Sequence, residues 1–372
     1  MLIVNATLLI AGAFHGGKSV LIREGRIAEI GDSLSAAPDE PRVDFHGDVL
    51  LPGFVDVHIH GYRGSDTMRG EADIRRMSRF LYESGVSAFC PTTMSAGPEE
   101  TARVLAAVRN VMARPEPRGA RVLGAHMEAP FLSGKHAGAQ QQAFFADPDW
   151  DSWRAMGGDP ACVRLITLAP ERSGSEAFIR RARSAGIRIS VGHTDADAAL
   201  LHRAGDWGAD HVTHTFNAQT PLHHREPGVP GAALTDDRFY CELICDGKHL
   251  HADAVRLAVR CKGPDRAVAV TDAMEAAGMP EGEYALGGQR VFVRDQAARL
   301  DNGTLAGSVL TMPSALHNLI HRFGIAPETA CTMCTATPAA SVGEALPGSM
   351  RPGSPLPLTR WSRDWEMADV IL

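Results

Sequence analysis

Residues 52–61 read PGFVDVHIHG, an apolar run that closes on two histidines one residue apart, His58 and His60. In a β-strand, residues i and i+2 face the same side, so both imidazoles converge where the strand ends. A converging pair of neutral imidazoles is a metal clamp. A bare H-x-H is also met on solvated strand faces, so the rest of the chain has to decide. Strand-like apolar runs recur after FVDVHIH (54–60): VSAFCPTT (86–93), RVLGAHMEAP (121–130), CVRLITLAP (162–170), IRISVGHT (187–194), DHVTHTFN (210–217), FYCELICDGKH (239–249) and RAVAVTDAM (266–274). Between them lie stretches such as ADIRRMSRFLYESG (72–85), EETARVLAAVRNVMA (99–113) and SEAFIRRARSAG (175–186). Their apolar residues recur at three and four, the helical period, and Gly85 and Gly186 fit helix C-caps. Eight β-then-α units with strands apolar on both faces predict a parallel sheet closed into a (β/α)₈ TIM barrel. An open doubly wound sheet has no support, because no G-x-G-x-x-G or P-loop follows any strand.

The ends of the chain do not share this pattern. MLIVNATLLI and SVLIREGRIAEIG (19–31) read as strands, the latter turning at Glu24-Gly25. The tail ends in MADVIL, which is expected to rejoin them. The expected organisation is a barrel over 51–340 inserted in a small flanking β-sandwich built from 1–50 and 341–372. After the eighth strand, YALGGQRVFVRDQAARLDNGTLAGS (284–308) reads as a hairpin-like insertion, followed by a helix from about Thr311.

Composition bounds the partners. In 372 residues the net charge is −7, with 44% hydrophobic and 22% charged residues. That balance argues against a nucleic-acid or polybasic membrane surface. No stretch approaches the ~20 apolar residues needed to span a bilayer. The apolar N-terminus has no basic residue before Lys18, unlike a secretory signal. Seven scattered cysteines suit a reducing cytoplasm, and the C-x-x-C of Cys331 and Cys334 reads as helix packing.

Barrel enzymes carry their chemistry at the C-terminal ends of the strands. Taken in order, those ends give His58 and His60, then Glu128, His193, His214, His249 and Asp272. Imidazoles mixed with carboxylates suit Zn²⁺, Fe²⁺ or a similar borderline ion rather than Mg²⁺ or Ca²⁺. Three protein ligands with an open position make a hydrolytic site. Such a site needs a carboxylate that takes and returns a proton, and Asp272 is the natural candidate. His126, two residues before Glu128, reads as barrel lining or as support for that carboxylate. His251, His317 and His321 read as structural or surface residues.

The motifs VDVHIHG, HMEAPF, SVGHTDAD, HVTHTFNA, HREPG, ICDGKH, VTDAM and GTLAGS resemble the amidohydrolase superfamily. More narrowly, they resemble its N-acetylglucosamine-6-phosphate deacetylase family. The resemblance implies removal of acetate from the 2-acetamido group of an amino-sugar phosphate. It implies a main metal on Glu128, His193 and His214, with His58 and His60 offering a second site, so one or two ions per subunit, and Asp272 as acid/base. It also implies sugar-phosphate contacts from Asn217, Ala218, Arg225 and His249, and a pocket lined by Ala139, Leu305, Ala306, Gly307 and Ser308. Gln140 matches a polar group for the oxyanion. A homodimer is implied, with Arg225 or His249 reaching across its interface. Three departures stand out: Ala129 follows Glu128 where relatives have Gly, Gln219-Thr220 replaces a Met, and a proline-laden RPGSPLPLTRW (351–361) precedes the last strand. A cyclic-amide hydrolase is the nearest rival. Many of those bridge two metals with a carboxylated lysine, and none of the four lysines here ends the required strand. Two further rivals are a deacetylase of another acylated amino sugar and a barrel that binds metal without turnover.

Overall fold

A computed structural model describes residues 1–372. The eight runs form the barrel strands β1 (Phe54–Ile59), β2 (Val86–Thr93), β3 (Ala125–Met127), β4 (Val163–Leu168), β5 (Arg188–Val191), β6 (His211–Val212), β7 (Tyr240–Ile244) and β8 (Ala267–Val270). Each pairs in parallel with the next. The ring closes where Asp272 N donates to His58 O and His60 N to Ala273 O, both at 2.8 Å. Every residue of β2 is buried, as expected of a strand with helices outside and a packed barrel inside.

The helix Glu71–Glu83 shows how the outer layer forms. Ile74, Met77, Ser78 and Leu81 make one buried stripe at the i, i+3, i+4, i+7 spacing that turns a helix onto a sheet. It ends at Ser84, and Gly85 follows with φ +89°, a left-handed conformation that glycine adopts without penalty. Ser175–Ser184 ends the same way at Gly186.

Both chain ends meet in one flanking seven-stranded sheet, ordered Met367–Ile371, Leu358–Trp361, Val49–Pro52, Leu2–Ile10, Ala13–Arg23, Arg26–Gly31, with Arg42–Asp44 beside Leu2–Ile10. The prolines of 351–361 therefore do not prevent closure: Leu358–Trp361 pairs antiparallel with Val49–Pro52, and MADVI supplies the edge strand. The chain passes from sheet to barrel at Gly53. A Cβ there would lie 2.7 Å from both the Pro357 carbonyl and the Ser87 side chain, so the crossover requires glycine. The insertion is larger than a hairpin. Gly282–Leu286, Gln289–Arg294 and Ala297–Arg299 make a three-stranded antiparallel sheet that contributes to the mouth of the barrel.

Candidate active site

The residues at the C-terminal strand ends converge. Glu128, His58 and His60 are buried, and His193, His214 and Asp272 nearly so. Three of these positions carry left-handed backbone: His193 at φ +46°, His214 at +28° and Asp272 at +49°. Non-glycine residues hold such conformations only when their surroundings enforce them. Gly192 permits the first, since a Cβ on it would press to 2.6 Å from Thr213.

His193 Nδ1 donates to the His136 carbonyl at 2.7 Å, and His214 Nδ1 to the Asn217 carbonyl at 3.1 Å. A carbonyl only accepts, so these bonds assign the proton of each neutral ring to Nδ1 and leave Nε2 as a lone pair. The two Nε2 atoms lie 3.0 Å apart, at 3.1 and 3.2 Å from Glu128 Oε1. Facing lone pairs at that distance repel unless a cation or proton lies between them. His58 Nε2 is buried with no hydrogen-bond partner and faces Glu128 Oε1 and Asp272 Oδ1 at 3.4 Å. His60 Nε2 lies 3.3 Å from Glu128 Oε2 and 3.2 Å from Asp272 Oδ1. Two donor sets, Glu128–His193–His214 and His58–His60–Glu128, thus share one carboxylate. An orphaned imidazole nitrogen, opposed lone pairs and a mixed nitrogen–oxygen donor set fit a divalent ion.

The charges agree. Burial alone pulls the His58 and His60 pKa values down, but nearby carboxylates outweigh it. His58 is held well above the usual imidazole range by Asp272, Glu128 and Glu242, and His60 is raised to about 9 by Asp272 and Glu128. Burial pushes the Glu128 and Asp272 carboxyls upward, yet His58 and the hydrogen bonds from the other histidines bring both below the ordinary range.

Around this cluster opens a cavity of about 520 Å³. Ala139, Gln140, Asn217, Ala218, His249, Leu305 and Gly307 line it. Ala306 and Ser308 lie behind its wall: Ala306 packs in an apolar cluster and Ser308 Oγ donates to the Thr271 carbonyl at 2.6 Å. Arg225 is outside the cavity, exposed, with Nη1 2.7 Å from His224 Nε2. Gln140 is braced at both ends of its amide, donating to Glu128 Oε2 at 2.6 Å and accepting from Ser95 N at 2.7 Å. His249 is oriented by Asp246 Oδ2 at 2.7 Å. Gln219 does not reach the cavity; its amide reaches back to the Asn217 carbonyl at 3.2 Å. Ala129 is buried and also lies off the cavity wall. His126 lines the barrel, with Nδ1 3.1 Å from the Val57 carbonyl and Nε2 2.7 Å from Thr167 Oγ1.

Sequence reasoning missed two residues. Glu242, fully buried on β7, accepts from His58 Nδ1 at 2.9 Å and from the His214 backbone N–H at 3.2 Å through the same oxygen. A glutamate inside the apolar run CELIC was the signal, because buried carboxylates are rare unless paired. Arg299 closes the last strand of the insertion and is the one arginine or lysine lining the cavity. Only its approach in space, not its spacing in sequence, marks it.

A closed parallel barrel with histidines and carboxylates gathered at its C-terminal rim defines a hydrolase of the metal-assisted type. Residues 49–365 match the amidohydrolase family. The chain is 41% identical over 298 residues to N-acetylglucosamine-6-phosphate deacetylase of Bacillus subtilis, covering 78% of this chain and 75% of that one. It is 35% identical over 311 residues to N-acetylgalactosamine-6-phosphate deacetylase of Escherichia coli O157:H7, covering 82% and 81%. The crystal structure of N-acetylglucosamine-6-phosphate deacetylase from Pasteurella multocida superposes with a TM-score of 0.92 at 27% identity, covering 98% and 96%. The chain belongs to the amidohydrolase family and, within it, to the N-acetylhexosamine-6-phosphate deacetylases.

Proposed function

We propose that this protein removes acetate from N-acetyl-D-glucosamine 6-phosphate, giving D-glucosamine 6-phosphate. The observation that carries the reading is the pair of Nε2 atoms on His193 and His214, 3.0 Å apart beside Glu128 at the base of a cavity that also holds Asp272. Glu128, His193 and His214 would hold a divalent ion, Zn²⁺ by the chemistry of the set or Fe²⁺ in its place, and His58 and His60 would offer a second position. Bound there, such an ion would supply Lewis acidity at neutral pH. Asp272 takes the proton of the attacking water and returns it to the departing amine. Gln140 keeps Glu128 in place through the bond from its amide N–H and lines the cavity where the oxyanion would develop. His249 and Arg299 receive the phosphate; a guanidinium is suited to that role by its fixed charge and forked donors. Anchoring the phosphate holds the amide in line with the reacting groups.

Arg225 stands exposed beside His223 and His224, which supports a homodimer in which it serves the partner's cavity. No helix is long and apolar enough to cross a membrane. All seven cysteines are free thiols, in keeping with the cytoplasm. The test is acetate release by the purified protein from N-acetylglucosamine 6-phosphate, its galactosamine epimer and unphosphorylated N-acetylglucosamine. Turnover should be fastest on the first and fall sharply without the phosphate. Faster turnover of the epimer would move the assignment to galactosamine, and no acetate from any of the three would overturn the reading.

A further inference from the structure

We propose that His317, His321 and Glu366 form a separate surface metal site that takes Zn²⁺, or a similar borderline divalent ion, and pins the C-terminal strands to the barrel. His317 ends the helix Met312–His317, and the chain continues through a widened π turn, Asn318–Arg322. Phe323 N bonds to Asn318 O at 2.9 Å, and the Asn318 side chain is tied to the Cys245 carbonyl at 2.9 Å. Such turns are rare and concentrate at functional sites. The turn sets the two imidazoles side by side, with ring centroids 4.4 Å apart and planes 40° apart. Histidines four residues apart on one helix face are a recurrent way of presenting two nitrogens to zinc.

The third donor comes from the other domain. Glu366 sits in the turn between Leu358–Trp361 and Met367–Ile371, with Oε1 3.3 Å from His317 Nε2. The backbone of that turn is preset: Ser362 N donates to Glu366 O at 2.9 Å, and Glu366 N to Ser362 Oγ at 3.2 Å. The Asp364 carbonyl, 3.0 Å from His321 Nε2, orients the second ring. One ligand atom from each of His317, His321 and Glu366 lies within 4.8 Å of the other two. Two imidazoles and a carboxylate match the preference of zinc-class ions, leaving the remaining position for water. His317 and Glu366 are open to solvent, at 41% and 72% side-chain exposure, so an ion enters without unfolding. Both also line a second cavity of about 640 Å³ between the helix and the C-terminal turn. The ion would cross-link an edge strand that is otherwise largely exposed to the body of the barrel, and would stabilise the fold by mass action.

The holoenzyme, dialysed free of loosely held metal, is titrated with Zn²⁺ beside His321→Ala and Glu366→Gln. Ion count, thermal midpoint and deacetylation rate are read on the same samples. The wild type should take one Zn²⁺ per chain more than His321→Ala, with a zinc-dependent rise in midpoint that the variant lacks and equal deacetylation rates. Glu366→Gln, an exposed isosteric change, should weaken the same uptake and so decides the matter if His321→Ala folds poorly. Equal uptake by all three proteins, or no uptake beyond the ions of the barrel, would overturn the proposal.

Discussion

Glu242→Gln tests whether a buried carboxylate sets His58 as a ligand. Glu242 Oε2 accepts from His58 Nδ1 at 2.9 Å, which fixes the proton on Nδ1 and leaves Nε2 free to face Glu128 and Asp272. A hydrogen bond to a charged group is worth about 1.5–3 kcal/mol net, against about 0.5–1.5 for a neutral one. The glutamine carbonyl can occupy the same position, so the loss is a difference of roughly 1–2 kcal/mol, plus the penalty of its NH₂ group. That group would replace Oε1, which is buried without a partner. If the amide instead turns its NH₂ to His58, the ring takes the other tautomer and Nε2 is lost as a ligand altogether. Losing an outer carboxylate of this kind commonly weakens metal binding about 10–100-fold. The ion on His58 and His60 should weaken by that range. The ion on Glu128, His193 and His214 should keep its affinity within about threefold, because Glu242 meets His214 only through its backbone N–H. Metal content after graded chelator competition, with folding followed by circular dichroism, measures both. The reasoning fails if Glu242→Gln retains the weaker ion unchanged while a His58→Ala control loses it.

Further outcomes follow from the same geometry. Asp272→Asn should lower kcat about 10²–10⁴-fold, the range of a lost general acid/base, with metal content preserved; a rate within about tenfold of wild type would remove Asp272 from the proton path. Arg299→Gln should raise KM for the phosphorylated sugar about 10–100-fold, the worth of a charge-assisted bond. It should leave kcat/KM for the unphosphorylated sugar alone, and equal losses on both substrates would count against a phosphate contact. Because His60 titrates near 9 and His58 is also raised, ions entering the His58–His60 set at neutral pH must displace protons. Its apparent affinity should therefore rise with pH up to about 9, about tenfold per unit for each proton displaced, as calorimetry in buffers of different ionisation enthalpy would show; uptake without proton release would contradict this.

The barrel was legible because its signals are local. Each strand is an apolar run bounded by turn residues, and each helix such as Glu71–Glu83 carries its own period. The strand-end positions of His58, His60, Glu128, His193, His214 and Asp272 follow from that frame, and the structure brings all six together. What sequence could not supply was anything set by loop trajectory. Leu305 and Gly307 face the cavity while Ala306 and Ser308 between and beside them do not, since left-handed Gly307 turns the chain by a conformation that spacing cannot encode. The places of Arg225, exposed, and Arg299, on the cavity wall, are set by loop trajectory in the same way. The motif loop carries the first outward into solvent, and the insertion sheet, read only as a hairpin, carries the second to the cavity.

Glu242 and Glu366 mark the two sides of that limit. Glu242 was available to pattern reasoning, because a carboxylate in the centre of CELIC has no apolar role and must be neutralised by a partner inside the barrel. On β7 that partner can only be a group on an adjoining strand end or across the lumen, and the histidines of β1 and β6 were already candidates. Glu366 was not available. It lies in a polar turn 45 residues after His321 in sequence, and its approach to His317 depends on the C-terminal strands completing the flanking sheet against Val49–Pro52. A ligand set shared between two domains becomes visible only after both have folded, which is why His317 and His321 read as surface residues in the sequence and as two-thirds of a donor set in the structure.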